Sequence, residues 1–148
     1  MNLQIESAAI SFALKYGAVS LPELVLWADE LIVNLFEPPT ELFDISLSKN
    51  LASALTALNL MGTISNSPEM ARLVLSLFYA NLNTKNPEYN RISRGLYDMY
   101  IHNFIPDEYC SGEMSYFWDA LDLAEDGTSG NPAEVKEEMK LFLMKFKC

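Results

Sequence analysis

SLPELVLWADELIVNLFEPP, residues 20–39, is marked as a helix at both ends. Ser20 stands where an N-cap side chain accepts a hydrogen bond from an otherwise orphaned amide. Pro22 falls in the first turn, where a missing N–H does no harm, and Glu23 lies three residues after the cap, the spacing of a capping box. Pro38 and Pro39 close the segment, since neither can extend a helix. Between these marks the residues are apolar nearly all round, which predicts a helix at the centre of the fold.

The same punctuation recurs along the chain. NSPE at 66–69 offers Ser67 as cap and Pro68 at the first helical position. NPEY at 86–89 offers Asn86 and Pro87, and GNPAE at 130–134 offers Asn131 and Pro132. Gly17, Gly62 and Gly127 each follow an apolar segment, where glycine tolerates the left-handed backbone that ends a helix. These signals predict helices over 3–16, 21–35, 40–47, 49–61, 68–82, 87–103, 112–126 and 132–146. In the last of them Val135, Met139, Phe142 and Phe146 recur at helical spacing on one face. No strict apolar–polar alternation bounded by hairpin turns occurs, so no sheet is expected. The proline-marked starts are spaced near a two-helix repeat length, but the residues after them do not match, which favours ordinary capping over a repeat. DGTSGNP, 126–132, reads as a loop joining the last two helices. The expectation is an all-α fold, a compact bundle of about eight helices in a single domain spanning 1–148.

Composition narrows the function. Twenty acidic residues against ten basic give a formal charge of −10. Such a surface repels nucleic-acid phosphates and anionic lipids and speeds encounter with basic proteins. No apolar run approaches the roughly 20 residues that span a bilayer, and the first residues lack the basic start of a secretory signal. Two cysteines, Cys110 and Cys148, are too few for a disulfide framework or a zinc site and read as free thiols of a cytoplasmic protein.

Candidate chemistry is sparse. DLAEDG, 122–127, echoes the start of a calcium loop, but Ala124 and Ala133 stand where ligands belong. His102 is the only histidine, so paired Glu-x-x-His metal ligands cannot form, and no nucleophile elbow accompanies it. It reads as a partly exposed helix residue. No phosphate-binding loop or dinucleotide fingerprint occurs. Lys85, Arg91 and Arg94 with Tyr89 and Tyr97 form a mildly basic aromatic patch, which Glu88 and Asp98 nearly cancel. The chain is therefore expected to be no enzyme, to need no metal or cofactor, and to bind no nucleic acid or membrane.

The charge is concentrated. Residues 107–127, DEYCSGEMSYFWDALDLAEDG, hold seven carboxylates and four aromatic residues but no lysine or arginine. On a helix, Asp119, Asp122 and Asp126 fall within about 60° of one another. Met114, Phe117, Leu121 and Ala124 gather opposite, with Trp118 near them. Tyr116 and Leu123, two turns apart, flank the acidic stripe. Like charges this close cost an isolated helix about 0.2–0.5 kcal/mol per pair, and Asp126 adds to that at the negative end of the helix dipole. An aromatic anchor beside a charged rim is the anatomy of a recognition surface. A solvated acidic face is the plain alternative. The candidate partner-binding residues are Asp107, Glu108, Glu113, Tyr116, Asp119, Asp122, Leu123 and Asp126.

LWADELIVNLFEPPTELFDISLS, 26–48, carries a Trp-Ala-Asp helix start, a double proline and a short following helix. In this it resembles the small helical immunity proteins encoded beside bacterial polymorphic toxins, including those of contact-dependent growth inhibition. The resemblance implies an inhibitor that holds a cognate toxin domain inactive, many such toxins being basic nucleases; the chain itself is expected to be a monomer. It transfers no catalytic or contact residue. With the charge reading, it leads to the expectation of an acidic surface that neutralises a basic toxin. The alternative is an adaptor or regulatory module that holds a partner helix in an apolar groove.

Overall fold

The computed structural model describes residues 2–63, 65 and 67–147. Among them are eight α-helices and no strand: α1 (Leu3–Lys15), α2 (Leu21–Asn34), α3 (Thr40–Ser46), α4 (Leu51–Met61), α5 (Pro68–Leu82), α6 (Tyr89–Ile101), α7 (Ser111–Glu125) and α8 (Pro132–Met144), with a single 3₁₀ turn at Glu108–Cys110 before α7. The fold is all-α, and every helix end lies within two residues of its expected place. Cys148, one of the two expected free thiols, lies outside the described residues.

Capping explains most of the agreement. The Ser20 hydroxyl accepts from the Glu23 amide at 3.3 Å, and the Glu23 carboxylate accepts from the Ser20 amide at 3.2 Å, completing the box. Ser67 accepts from the Met70 amide and Asn131 from the Ala133 amide. Gly17 and Gly127 end their helices with φ of 75° and 84°.

Two local readings are corrected. Asn86 does not cap α6: the helix starts at Tyr89, and the Glu88 amide is met at 2.8 Å by the Asn81 side chain from the last turn of α5. A neighbouring helix supplies the acceptor that the local motif was expected to supply. Gly62 is not left-handed; its backbone is extended, at φ −171°. Its constraint is steric, because a Cβ there would lie 2.2 Å from the Gln4 carbonyl oxygen of α1.

The apolar side chains form two cores that share α1. Ala8, Ala9, Ala13 and Tyr16 of α1 join α5, α6, α7 and α8 in the larger core. Ile10 and Leu14 join α2, α3 and α4 in the smaller one. Successive packing runs α2–α3–α4–α1–α5, while α5, α6, α7 and α8 close on one another as a ring. The small residues on α1 let α4 and α5 approach it from different sides. Its polar members are satisfied inside: Ser7 donates to the Leu3 carbonyl and Ser11 to the Asn59 side chain of α4. Tyr16 rises from the end of α1 into rings of Phe12 and Phe78 and donates its hydroxyl to Asp98 on α6. Burial first, then that bond and the carboxylate's charge, keep the phenol protonated well above its ordinary range.

The expectation of a central α2 is overturned. Only Leu24, Ala28 and Leu31 of this helix are buried, and it packs mainly on α3 at one extremity of the array. Leu24 and Leu31 supply about 1.5–3 kcal/mol each by burial. Leu26, Val33 and Phe36, from the helix and the residues that follow it, remain exposed and forgo that contribution. Apolar residues all round mean burial only where neighbours exist on every side, and α1 and α5 occupy the centre instead.

Gly95 sets the approach of α6 to the core. A Cβ at this position would lie 2.9 Å from Phe78 and 3.0 Å from Tyr16, both buried rings. Alanine gains about 1 kcal/mol of helix propensity over glycine. The clash outweighs it, since overpacking a filled core costs about 1–3 kcal/mol. Gly95→Ala is expected to lower the urea unfolding midpoint; an unchanged or raised midpoint would mean the rings yield freely.

Candidate functional site

The acidic segment folds as a turn followed by a helix. Asp107 accepts from the Tyr109 amide at 2.9 Å and so caps the 3₁₀ turn. This delivers the chain into α7 with Cys110 buried and Tyr109 almost fully exposed, at 93%. Met114, Phe117, Leu121 and Ala124 are buried on one side of α7 against α6 and α8, as the periodicity requires. Asp119 and Asp122 point outward on the other side, and Tyr116 is half exposed.

Folding gives the eight candidate residues different neighbours. Asp107 lies 4.0 Å from Arg72 of α5, and Glu113 lies 3.8 Å from Lys145, just past α8. Both pairs are solvent-exposed and worth at most about 1 kcal/mol, yet they place bases inside a segment that has none of its own. Asp126 lies beyond the end of α7 and accepts from the Thr128 amide at 2.8 Å. Bonds from the Thr128 hydroxyl and amide hold its carboxyl below the usual range. Asp126 thus orders the loop after α7, and that bonding opposes the dipole penalty its position would carry alone. Leu123 is only partly exposed, and its carbonyl accepts from the Thr128 and Ser129 amides. Glu108, Asp119 and Asp122 are exposed and have no ion pair among the described residues.

Asp119 and Asp122 are joined by partners from α6 that periodicity on α7 alone does not reveal. Tyr97 packs on Trp118 with ring centroids 4.8 Å apart, and these four side chains line a recess of about 330 Å³. Arg94 lies over the Trp118 ring at 4.3 Å and bonds to Asp98 at 3.3 Å. Arg94 of the mildly basic patch is thus engaged internally, as is Arg91, which donates to the Lys15 carbonyl at 2.9 Å. Tyr97, the α6 member of the recess, belongs in sequence to that same basic aromatic patch. His102 is exposed at the C-terminal cap of α6, its Nδ1 2.8 Å from the Asp98 carbonyl oxygen.

Cys110 differs from a reactive thiol. Burial first, then hydrogen bonding to Asp107 and the charge of that carboxylate, push it up to about 11. Among the described residues no three His, Cys, Asp or Glu side chains converge as a metal site, and no helix is long and apolar enough to cross a membrane. No family model, characterised protein or solved structure matches the chain.

The thiol is protonated in the fold to a higher pH than in the unfolded chain, whose ordinary value is 9.0. Its contribution to stability is complete below that value and is lost as pH rises through about 11. In a Cys148→Ser background, iodoacetamide at pH 8 is expected to alkylate native Cys110 about 100-fold more slowly than the urea-unfolded chain. Equal rates would show an ordinary, accessible thiol.

Proposed function

We propose that this protein is an immunity protein: it binds a basic toxin domain, a nuclease by preference of charge, and holds it inactive. The observation that carries this reading is the recess between α6 and α7, where two carboxylates without ion-pair partners, Asp119 and Asp122, stand beside the stacked rings of Tyr97 and Trp118. Carboxylates bind a guanidinium through charge-assisted hydrogen bonds, and aromatic faces attract the same cation. Arg94 already lies against Trp118 in this way. An arginine or lysine of a phosphate-binding cleft has the chemistry this recess accepts, and the carboxylates would stand where substrate phosphate otherwise sits. Tyr116, at 50% exposure, supplies apolar contact area at the edge of the acidic face.

The overall charge of −10 supports the same reading kinetically. Oppositely charged pairs associate at roughly 10⁸ M⁻¹s⁻¹ or faster at low salt and slow as salt rises. The fitting partner is the protein encoded beside this chain's gene, titrated at several salt concentrations. Association is expected to slow with salt, and Asp119→Lys/Asp122→Lys to slow it by about tenfold at low salt. A neutral partner, or an affinity indifferent to both salt and this double substitution, would remove the recess from the mechanism.

A second reading, an adaptor that holds a partner helix, has its own support. Phe12, Leu14, Leu51 and Leu55 line a largely apolar recess of about 500 Å³ between α1 and α4, with Lys15 and Arg91 also in its lining. Binding there would show weak salt dependence and a marked negative heat-capacity change.

A further inference from the structure

A second stretch of one-sided charge lies away from α7. Between Lys15 and Lys49 there is no lysine, arginine or histidine, while Glu23, Asp29, Glu30, Glu37, Glu41 and Asp44 all fall in that interval. It covers α2 and α3. None of these acids has an ion-pair partner among the described residues, where such pairs occur only at Asp107, Asp98 and Glu113. Unlike the segment before and within α7, this one forms no ion pair among the described residues, although Lys49 lines one cavity with Asp44.

The same helix carries an unpartnered apolar stripe. Leu26, Glu30 and Val33 fall within about 60° of one another on α2, and the buried Leu24, Ala28 and Leu31 lie about 160° away. Leu26 is 59% exposed, Val33 82%, and Phe36, just beyond the helix, 97%. Acidic residues are interleaved with these side chains and continue to Glu37. A helix apolar on opposite sides is one that expects cover on both, and here only one side is covered. The position is held firmly: the Trp27 indole donates to Glu6 on α1 at 2.8 Å, and Ser46 of α3 donates to Asp29.

Charge selects the occupant. A second copy of this chain docked about a two-fold axis would set Glu30 and Glu37 against their own counterparts, neither of them ion-paired among the described residues. An anionic bilayer is repelled for the same reason. The complementary occupant is a protein surface with an apolar patch ringed by lysine or arginine.

We infer that the outer face of α2, centred on Leu26, Val33 and Phe36 with Glu30 and Glu37 between and beside them, docks a basic, amphipathic protein segment. The inference rests on the partner being a basic protein, as proposed above, but not on the α6–α7 recess being its seat. The apolar side chains supply the desolvated centre of the contact and the acids its charged rim.

The test uses the full chain, ¹⁵N-labelled, and a probe independent of any toxin: a peptide of about 14 residues made of leucine and lysine in helical period. Its scrambled isomer has the same charge and no apolar face. Amide shifts are expected to cluster over residues 26–37, with the isomer binding at least about tenfold more weakly. Val33→Lys/Phe36→Lys changes only exposed positions and is expected to weaken binding at least tenfold, with helicity by circular dichroism unchanged. Asp119→Lys/Asp122→Lys is expected to leave binding at α2 intact. Equal binding of the isomer, or shifts confined to residues near 118–122, would overturn the inference. So would a concentration-dependent dimer in sedimentation that Val33→Lys/Phe36→Lys abolishes, since that would assign the face to a second copy. A partner that fails to use the recess while the peptide still seats on α2 would separate the failure of the earlier reading from this one.

Discussion

Everything in this fold is arranged around the two-sided burial of α1. Its alanines and serines present almost no side-chain bulk, so α4 and α5 approach from different directions and each builds a core on its own side. Close packing of this kind leaves no slack. It is why Gly62 must pass within contact distance of the Gln4 carbonyl and why the ring of Tyr16 can reach Asp98 across to α6. A helix that serves both cores also couples them, so the placement of α2–α4 and of α6–α8 depends on the same thirteen residues.

The two acidic regions hang from opposite parts of that arrangement and differ in kind. On α7, folding brings Arg72, Lys145 and Arg94 close to the carboxylates or their aromatic neighbours, leaving a small recess with a concentrated negative lining. On α2 and α3 no ion pair forms among the described residues, and the carboxylates are interleaved with exposed aliphatic and aromatic side chains. The first arrangement suits capture of a single cationic side chain. The second suits a broader contact in which apolar area supplies affinity and charge supplies encounter rate and orientation.

Helices and their ends were legible because their causes are local. Ser20 with Glu23, Ser67 with Pro68 and Asn131 with Pro132 act within four residues of themselves, and the buried face of α7 follows from its periodicity. Where a neighbouring helix supplied the missing group, local reasoning failed: Asn81 from α5 satisfies the amide expected to depend on Asn86. The candidate site was legible to the same extent. Asp119, Asp122 and Tyr116 face outward as the helical arithmetic requires. The ion pairs of Asp107 with Arg72 and of Glu113 with Lys145, and the contribution of Tyr97, all depend on residues remote in sequence.

By itself, then, the order of residues determined the helical class, the number and limits of the helices, and an excess of negative charge, because capping, periodicity and composition are short-range or additive properties. Which helix is central was decided only by tertiary packing. The apolar α2 and the small-residue α1 both carry enough apolar surface to be buried, and the competition between them depends on how closely neighbours can approach. Small side chains permit approach from two sides, so α1 took the interior, and α2 kept one apolar face turned to solvent among its acids.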